Sequence, residues 1–439
     1  MFLESIHLLN YRGHKDLTVE FGEQFTVVAG VNGSGKTSLL MGISAILEHV
    51  ATGAHYGHGG GWQWQSVPYL QAKPFANGYR FEPQYPVQIE ARGDLGHSGK
   101  QYVWKCLQNR IGGTVTPSNW SLVSDSPLPL LAFYRASRWW PAEQVATIQA
   151  ATEKLSRWNA YDQWQHAEIS VTALQSWVIA KCLERLQLAD ETGRRFDAIE
   201  DDELAMVNGA LHRALPEVAG LRHDMRQKTL VVDWRSERSE GRLSACQPGA
   251  SDESDKSAIT PVSFEHLSDG QRTALCLIAD IARRICLLNP QLGPETINET
   301  PGLVLIDELD AHLHPKWQRL ITNGLKSAFP AVQFIVTSHS PQVLGELKPE
   351  EILLLCPEGA KNPQVSYGLD AAQVLDIIME APARNEEVRK KIEALFELIE
   401  ANNLDSARTN LNTLKMEAPG VPELVGAEAL IRRKEILGR

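Results

Sequence analysis

The sequence predicts an α/β fold followed by a helical C-terminal region, on three observations. A buried-type strand, QFTVVAG, leads through a glycine-rich turn into the helical pattern SLLMGISAILEHV. Strand and helix patterns alternate again from residue 270 to residue 356. Beyond residue 361 the clearest pieces are helical hairpins, such as KKIEALFELIEANN and PELVGAEALIRRKEIL.

The N-terminal segment is expected to form strands around the glycine-rich turn. FLESIHLLNY and LTVEF alternate or run apolar, as strands with a buried face do. Residues 86–107 resemble a hairpin, and PLPLLAFYRASRWW contains another buried strand. Residues 52–66 are glycine-rich and predict a loop. We interpret His55 and His58 in that loop as surface histidines rather than as a metal-binding pair.

The middle of the chain changes character twice. From about residue 141 to residue 215 the pattern is helical and polar, without the sustained heptads of a coiled-coil arm. KTLVVDWR predicts a strand at 228–235, and residues 243–260 form a Ser/Asp/Gly-rich exposed loop. The later alternation predicts a helix over 270–288, a strand over 302–307, a helix over 315–328, a strand over 332–337, a helix over 341–346 and a strand over 351–356.

The composition excludes several classes of protein. The 439 residues carry 43 Lys and Arg against 54 Asp and Glu, so the molecule as a whole repels nucleic acid and any such contact needs a local basic patch. Six scattered cysteines without a CxxC pair disfavour a disulfide framework or a zinc site. No long apolar run predicts a membrane span, and the first residues lack a secretion pattern. We therefore expect a cytoplasmic protein.

GVNGSGKT, residues 30–37, fits the phosphate-binding loop and lies between a strand and a helix, as that loop requires. Its glycines let backbone amides surround a β-phosphate, Lys36 offers a positive charge to the β and γ oxygens, and Thr37 offers a hydroxyl to magnesium. The helix from Ser38 adds its positive N-terminal end. The expected nucleotide-binding residues here are Gly30, Asn32, Gly33, Ser34, Gly35, Lys36, Thr37 and Ser38.

Three further segments accompany the loop. In LVLIDELD, a buried-type strand would deliver Asp307 to the magnesium shell and Glu308 to an attacking water. HLSDGQR opens a helix, where Ser268 could simply be an N-cap. FIVTSHSP places His339 just past the next buried strand. His312 and His314 in DELDAHLHP are interpreted as part of a loop before a helix that starts at Pro315, not as a metal cluster.

In their order along the chain, the phosphate loop, HLSDGQR, LVLIDELD and FIVTSHSP resemble the motifs of the ATP-binding-cassette ATPases. The branch is the one that contains structural-maintenance heads, the recombination protein RecF and the overcoming-lysogenization-defect ATPases. The resemblance implies a P-loop head, with a two-lobed mixed sheet and helices, that binds ATP and Mg²⁺. It implies that the signature, here Leu267-Ser268-Asp269-Gly270-Gln271 with Asp in the first glycine position, closes on the γ-phosphate of a second protomer. Ser268, Gly270 and Gln271 are its expected nucleotide-binding residues.

The same resemblance assigns the remaining site residues. Glu308 would polarise water, His339 would sense the γ-phosphate, and Asp310 would act across the interface of a head-to-tail dimer that sandwiches two ATP molecules. Arg12 in LNYRGH looks like the arginine that these heads place beside the nucleotide. The family also has a glutamine-bearing loop that touches magnesium, but AFYRASRWW occupies that neighbourhood and contains no glutamine.

The motifs divide the chain into four predicted segments. These are an N-terminal ATPase lobe over 1–140, a short helical insert over 141–225, a C-terminal ATPase lobe over 226–360 and a helical C-terminal region over 361–439. The insert is far shorter than the arms of structural-maintenance proteins, which disfavours long-range chromosome looping. No spaced acidic residues or HNH-like cluster follow the His339 strand, which disfavours a nuclease within the chain.

This outline is similar to AAA-family ATPases of Septu systems and of some retrons, which act in anti-phage defence. The resemblance implies an ATP-bound homodimer or higher oligomer that controls a separate HNH-type nuclease, in retrons together with a reverse transcriptase and its DNA. The C-terminal helices would either pack against the head or dock such a partner.

Two other interpretations stay open. A RecF-like DNA-repair clamp needs a basic surface, and residues 222–242 offer one, although interleaved acids favour a solvated hairpin. Arg135, Arg138 and Arg284 could also line a groove. Alternatively, ATP could hold a scaffold together with little turnover, although the intact Glu308 argues against a dead site.

Overall fold

The computed structural model describes residues 1–56, 67–75, 78–94, 101–110, 127–136, 156–167, 171–235, 259–382 and 384–437. His58, Arg138 and residues 243–258 of the predicted exposed loop lie outside these ranges. Contacts divide the chain into two compact units, Met1–Gly368 and Leu369–Arg439. The four segments predicted from the motifs stay a prediction.

The N-terminal part of the first unit is an antiparallel sheet followed by the phosphate loop. Its elements are β1 (Phe2–Tyr11), β2 (His14–Glu20), β3 (Phe25–Ala29), α1 (Lys36–Tyr56), β4 (Leu70–Phe75), β5 (Gly78–Pro83), β6 (Val87–Asp94) and β7 (Gln101–Gln108). Strands β2, β1, β6 and β7 pair in that order. The predicted hairpin over 86–107 is confirmed, since β6 and β7 pair antiparallel from Val87 with Gln108 to Asp94 with Gln101.

Two local predictions in this part are wrong or incomplete. Helix α1 continues to Tyr56, past the start of the predicted loop at residue 52. A single glycine, Gly53, does not end a helix, and the denser glycines come only after Tyr56. The sequence analysis also missed the separate hairpin of β4 and β5, in which Tyr79 and Phe81 are more than half exposed.

The remaining elements of the first unit alternate between helices and strands. They are β8 (Leu130–Tyr134), α2 (Val171–Thr192), α3 (Glu203–Ala214), β9 (Val218–Asp224), β10 (Thr229–Arg235), β11 (Ile259–Ser263), α4 (Asp269–Leu288), α5 (Thr296–Glu299), β12 (Gly302–Ile306), α6 (Pro315–Ala328), β13 (Val332–Thr337), α7 (Pro341–Leu344), β14 (Ile352–Cys356) and β15 (Gly359–Lys361). The alternation predicted from residue 270 onward is confirmed, with boundaries that differ by at most two residues.

A six-stranded mixed sheet forms the core of this unit, in the order β15-β14-β3-β13-β12-β8. All its neighbouring strands are parallel except β15, which pairs antiparallel with β14. Every residue of β3, β8, β12 and β13 is buried. This burial explains why these strands are mostly apolar rather than alternating between apolar and polar residues. The predicted α/β class with a mixed sheet is confirmed.

Strands β9 and β10 form the hairpin that the sequence favours over a basic DNA-binding surface. They pair antiparallel, and the Arg222 guanidinium lies 2.9 Å from the Asp233 carboxylate on the neighbouring strand. Asp224 accepts hydrogen bonds from the turn amides of Arg226 and Gln227. The interleaved acids therefore neutralise part of this hairpin's positive charge.

A buried charge cluster connects β8 with α4. The Tyr134 hydroxyl donates to Asp280 at 2.8 Å, and Asp280 also accepts from Arg283 at 2.6 Å and from Arg284 at 2.8 Å. Burial alone would raise the pKa of Asp280, but the two arginines hold it well below its usual range. Arg284 is 4% exposed. It therefore cannot line a surface groove, because its guanidinium is needed to neutralise a buried carboxylate.

The second unit is helical, as predicted for the C-terminal region. It contains α8 (Ala371–Ile377), α9 (Glu386–Glu400), α10 (Leu404–Glu417) and α11 (Glu423–Leu437). The last three helices share one apolar cluster of nine buried residues, which includes Leu395, Leu411 and Ile431. Within the described part of the chain, no helix has the length and apolarity needed to cross a membrane.

Candidate nucleotide site

The glycine-rich loop connects the carboxyl end of β3 with the first turn of α1. Gly30, Gly33 and Gly35 adopt positive φ values of 152°, 83° and 96°, which favour glycine. A Cβ on Gly30 would lie 2.7 Å from the Leu355 carbonyl oxygen, and one on Gly35 would overlap the His14 ring. Local conformation and close approach together therefore require glycine, and the loop keeps the shape of a phosphate cradle.

Lys36 and Ser34 offer donors inside this loop. The Lys36 ammonium donates to the carbonyl oxygens of Gly30 at 3.0 Å and Val31 at 3.1 Å, and the residue is 7% exposed. Burial lowers the pKa of Lys36, while the charges of Asp307 and Glu308 oppose this shift. The buried Ser34 hydroxyl has no hydrogen-bond partner among the described residues. An unpaired buried hydroxyl and an ammonium in the same loop fit a phosphate group, whose oxygens accept hydrogen bonds from both.

Thr37 and Asp307 come together although they are 270 residues apart in the chain. The Thr37 hydroxyl donates to Asp307 Oδ2 at 3.0 Å, and the Thr337 hydroxyl donates to Asp307 Oδ1 at 2.6 Å. A hydroxyl and a carboxylate are oxygen ligands of the kind that Mg²⁺ prefers. No group of three or more acidic, His or Cys residues suited to a metal occurs in the described residues. A Mg²⁺ site with one or two protein ligands, completed by water and phosphate, fits this arrangement.

Glu308 occupies an unusual backbone conformation directly after Asp307. Its φ is 51°, in the left-handed region, and its amide donates to the Thr337 hydroxyl at 2.7 Å. Such a conformation costs about 1–3 kcal/mol in a residue other than glycine and persists where neighbouring contacts enforce it. Because Thr337 contacts both Asp307 and Glu308, this threonine holds the two acids in place. Glu308 itself is exposed at the edge of the sheet.

His339 and Asp310 are neighbours within this single chain. Asp310 Oδ1 accepts from the Ser338 hydroxyl at 2.6 Å and from the His339 amide at 3.2 Å. Burial lowers the pKa of His339, the charge of Lys36 lowers it further, and nearby carboxylates oppose both. The imidazole therefore lies within electrostatic reach of the phosphate loop. The contact across an interface that the family implies for Asp310 stays a prediction.

Ser268 is the N-cap of α4, which confirms the structural role that the sequence offered beside a role in nucleotide binding. Its hydroxyl accepts from the Gln271 amide at 3.3 Å, while the Gln271 side chain accepts from the Ser268 amide at 3.0 Å. The start of α4 packs tightly on the loop beyond Glu308, since a Cβ on Gly270 would overlap the His312 carbonyl. The role of these residues toward a nucleotide is a separate matter and stays a prediction.

The phosphate loop and the signature segment line two different grooves. One groove is lined by residues 13–17, 31–34 and 69, together with residues 356, 357 and 359. The other is lined by residues 268–271, 312–314, 316 and 317. The two linings share no residue. Asn32 lines the first groove and Gln271 the second.

Arg12 lies in the tight turn between β1 and β2. Its φ is 52°, its amide donates to the Val67 carbonyl at 2.8 Å, and its Nε donates to the Tyr11 hydroxyl at 3.2 Å. Its charge contributes to lowering the pKa of Arg135, so the two guanidinium groups are close enough to repel each other. This places Arg12 near the end of β8, which directly neighbours the strand that carries Asp307.

Three residues beside this site were missed or left unassigned by the sequence analysis. His14 Nε2 lies 3.0 Å from the Gly35 carbonyl oxygen, within hydrogen-bond distance of the phosphate loop. Thr337 positions both acids, and Arg135 follows the strand that neighbours Asp307. Only Arg135 and Thr337 had a usable signal, since each stands at the end of a predicted buried strand.

Comparisons with known proteins agree with the motifs. Residues 196–345 match the family described as "AAA domain, putative AbiEii toxin, Type IV TA system", and residues 5–113 match one described as "AAA domain". The retron Ec83 probable ATPase of Escherichia coli is 29% identical over 438 residues, which covers 86% of this chain and 76% of the relative.

Two further similarities cover different shares of the proteins compared. The Septu protein PtuA of Bacillus mycoides (strain KBAB4) is 35% identical over 114 residues, which covers 26% of this chain and 15% of the relative. A solved structure, an Smc head bound to the C-winged helix domain of ScpA, has a TM-score of 0.45 and 13% identity, covering 82% of this chain and 97% of that one. The predicted resemblance is confirmed: the chain is similar to a retron ATPase over most of its length and to a Septu protein over about a quarter of it.

Proposed function

We propose that the protein is an ATPase that binds ATP with Mg²⁺ between two copies of itself and regulates a separate nuclease in an anti-phage defence complex. The observation that carries the ATPase half is the hydrogen bond between Thr37 and Asp307 beside the buried Lys36 ammonium. A cation, a hydroxyl and a carboxylate in this arrangement match what phosphoryl transfer to water requires.

Each residue then has a chemical task. The loop amides, the Ser34 hydroxyl and Lys36 bind the β- and γ-phosphate oxygens, while Thr37 and Asp307 would hold Mg²⁺. When bound, Mg²⁺ neutralises charge that develops on these oxygens. Glu308 accepts a proton from water as the water oxygen attacks the γ-phosphorus, and the bond to the bridging oxygen breaks to leave ADP and phosphate.

The two separate grooves support an assembly of two copies. Ser268, Gly270 and Gln271 do not line the groove that the phosphate loop lines in the same chain. A second copy arranged head to tail would bring its signature segment to the first copy's phosphate loop, and Asp310 and His339 would then lie at the junction. ATP would thus be a component of the interface, which makes assembly depend on nucleotide.

The likeness to a retron ATPase and to PtuA supports the role in defence. We infer a separate HNH-type nuclease as partner, with a reverse transcriptase and its DNA if the system is a retron. The C-terminal unit is the proposed docking element. Such a complex would operate in the cytoplasm, where phage DNA is met.

The ATPase half can be tested with three forms of the full chain. We expect Lys36→Ala to abolish ATP binding, measured by calorimetric titration in Mg²⁺, because it removes the cation at the phosphate oxygens. We expect Glu308→Gln to bind ATP without turnover and to accumulate as a dimer or larger assembly, measured by light scattering. Lys105→Ala, an exposed lysine on β7, is the matched control and should behave like the unaltered chain.

Two outcomes would contradict this half of the proposal. Unchanged ATP affinity in Lys36→Ala overturns the assignment of the loop. A monomeric mass for Glu308→Gln at saturating MgATP overturns the shared site.

The defence half is tested by purifying the tagged chain from cells that carry its own gene neighbourhood. A stoichiometric small nuclease, with or without a reverse transcriptase and its DNA, is the expected result. Recovery of the chain alone or with bulk DNA contradicts it and makes a repair-type clamp the better interpretation.

A further inference from the structure

Arg135 lies beside Asp307 at the carboxyl edge of the central sheet. Strands β8 and β12 are parallel, with Tyr134 opposite Ile306, so residues 135 and 307 are the first residues past two neighbouring strands. The Asp307 amide donates to the Tyr134 carbonyl at 2.8 Å, which continues the pairing to the strand ends. Ligands of parallel α/β sheets bind at this edge.

The Arg135 side chain lies on the opposite face of the sheet from helix α4. Tyr134 contacts Asp280 of α4, and adjacent residues of a strand point to opposite faces. The Arg135 guanidinium carbon is 5.6 Å from the centroid of the Phe133 ring, two residues earlier on the same face. Phe133 is fully buried, so this contact orients the guanidinium on a rigid surface.

The charges around Arg135 favour a bound anion. Burial lowers the pKa of Arg135, Arg12 lowers it further, and Asp307 opposes both shifts. Lys36 is also within electrostatic reach of Asp307 and Glu308. Two guanidinium groups that repel each other, those of Arg12 and Arg135, therefore lie at the sheet edge that carries Asp307. A triphosphate carries several negative charges and would relieve this repulsion.

The chemistry of the guanidinium group limits which part of a Mg²⁺-bound nucleotide Arg135 can contact. A guanidinium has five N–H donors and no acceptor, so it cannot ligate Mg²⁺ as a glutamine carbonyl can. It binds phosphate instead, and its planar fork suits two oxygens at once. Asp307, its neighbour, is one of the residues that would hold Mg²⁺, which would neutralise charge on the β- and γ-phosphates.

We propose that Arg135 binds a γ-phosphate oxygen of the ATP held by the phosphate loop of the same chain, and thereby makes the site distinguish ATP from ADP. The inference rests on the proposed nucleotide site. It assigns a phosphate contact to the segment AFYRASRWW, where the sequence offers no magnesium-contacting glutamine. Arg12 would then adjoin the same phosphates from the β1–β2 turn.

The test compares the affinities of full-length variants for ADP and for a non-hydrolysable ATP analogue, by calorimetry in Mg²⁺. We expect Arg135→Ala to weaken binding of the ATP analogue about ten- to a hundredfold, as for loss of a charged hydrogen bond, and ADP binding by less than about threefold. Arg135→Lys, which keeps the charge but not the fork, should recover part of the difference. Arg92→Ala, at an exposed arginine on β6, is the matched control.

The outcomes separate this inference from the proposal beneath it. Equal losses for both nucleotides in Arg135→Ala and Arg135→Lys, or an unchanged preference for the ATP analogue, overturn the γ-phosphate contact alone. Failure of the unaltered chain to bind either nucleotide overturns the proposed site and this inference with it. Unfolding midpoints measured without nucleotide show whether a variant is folded. If Arg135→Ala does not fold, the comparison of the two nucleotides is made with Arg135→Lys.

Discussion

The two compact units of this chain are built from contacts of very different range. In the first unit, β3 lies between β13 and β14, strands more than 300 residues away in sequence. In the second, α9, α10 and α11 follow one another and share a single cluster of buried residues. Closing long loops costs more entropy than joining neighbours. The first unit therefore needs a large, well-packed core, whereas the second folds around local pairings.

The units also differ in what they bury. The first unit buries the Asp280 carboxylate with two arginines, and it holds Arg12 and Glu308 at positive φ. In the second unit, the shared cluster of α9–α11 is apolar and the described ion pairs have exposed partners. The second unit also holds residues at positive φ, Glu380 and Asn402, so the clearer difference between the units is the buried charge of the first.

The largest expected effect comes from the buried charge of the first unit. Asp280→Ala leaves Arg283 and Arg284 without their carboxylate in a buried site, which typically costs about 3–5 kcal/mol of unfolding free energy. Chemical unfolding measures it. Asp233→Ala, which breaks the more exposed pair with Arg222, is the control and should cost far less. Equal stability of Asp280→Ala and the unaltered chain would remove this difference between the units.

An intermediate effect is expected in the apolar cluster of the second unit. Leu395 is fully buried, so Leu395→Ala leaves a cavity that costs roughly 2–4 kcal/mol. Hydrogen exchange should quicken in α9, α10 and α11, while nucleotide affinity stays unchanged because that site belongs to the first unit. Leu430→Ala, where the leucine is 39% exposed, serves as the control. Loss of nucleotide affinity in Leu395→Ala would show that the two units do not fold separately.

The smallest effect is expected at the surface of the second unit. Lys391 lies 2.7 Å from a Glu417 oxygen and 3.1 Å from a Glu387 oxygen, and its side chain is 39% exposed. Water and salt screen such pairs, so Lys391→Ala should leave the unfolding midpoint within measurement error. A clear drop that vanishes in high salt would instead assign a stabilising role to this charge network.

Patterns local in sequence predicted the secondary structure well. The bounds of α6 match the prediction at both ends, because Pro315 starts the helix and an apolar periodicity continues to Ala328. Strand β13 matches as well, since four of its six residues are large and apolar and the whole strand is buried. Helix α1 was predicted too short, because the glycine content of residues 52–66 was interpreted as a loop although the helix continues to Tyr56.

The residues of the candidate site were predictable where they belong to a motif that is contiguous in sequence. Lys36, Thr37, Asp307 and Glu308 each belong to a recognisable motif beside a strand. His14 does not. Arg135 follows a predicted buried strand, but its place beside Asp307 follows from sheet order and pairing register, which are set by distant segments. The partners of Asp280 were hidden for a similar reason. An arginine at helical spacing looks the same in sequence whether it faces water or a buried carboxylate.

The interleaved strand order has a consequence for the protein during its synthesis. A ribosome releases the phosphate loop early, but the strands on either side of β3 are the last two parallel strands to be made. A nascent chain therefore carries GVNGSGKT without the neighbours that hold it, and without Asp307. A truncated product that ends before β13 would have the loop without either neighbouring strand, so we expect it to bind ATP at the proposed site more weakly than the complete chain does.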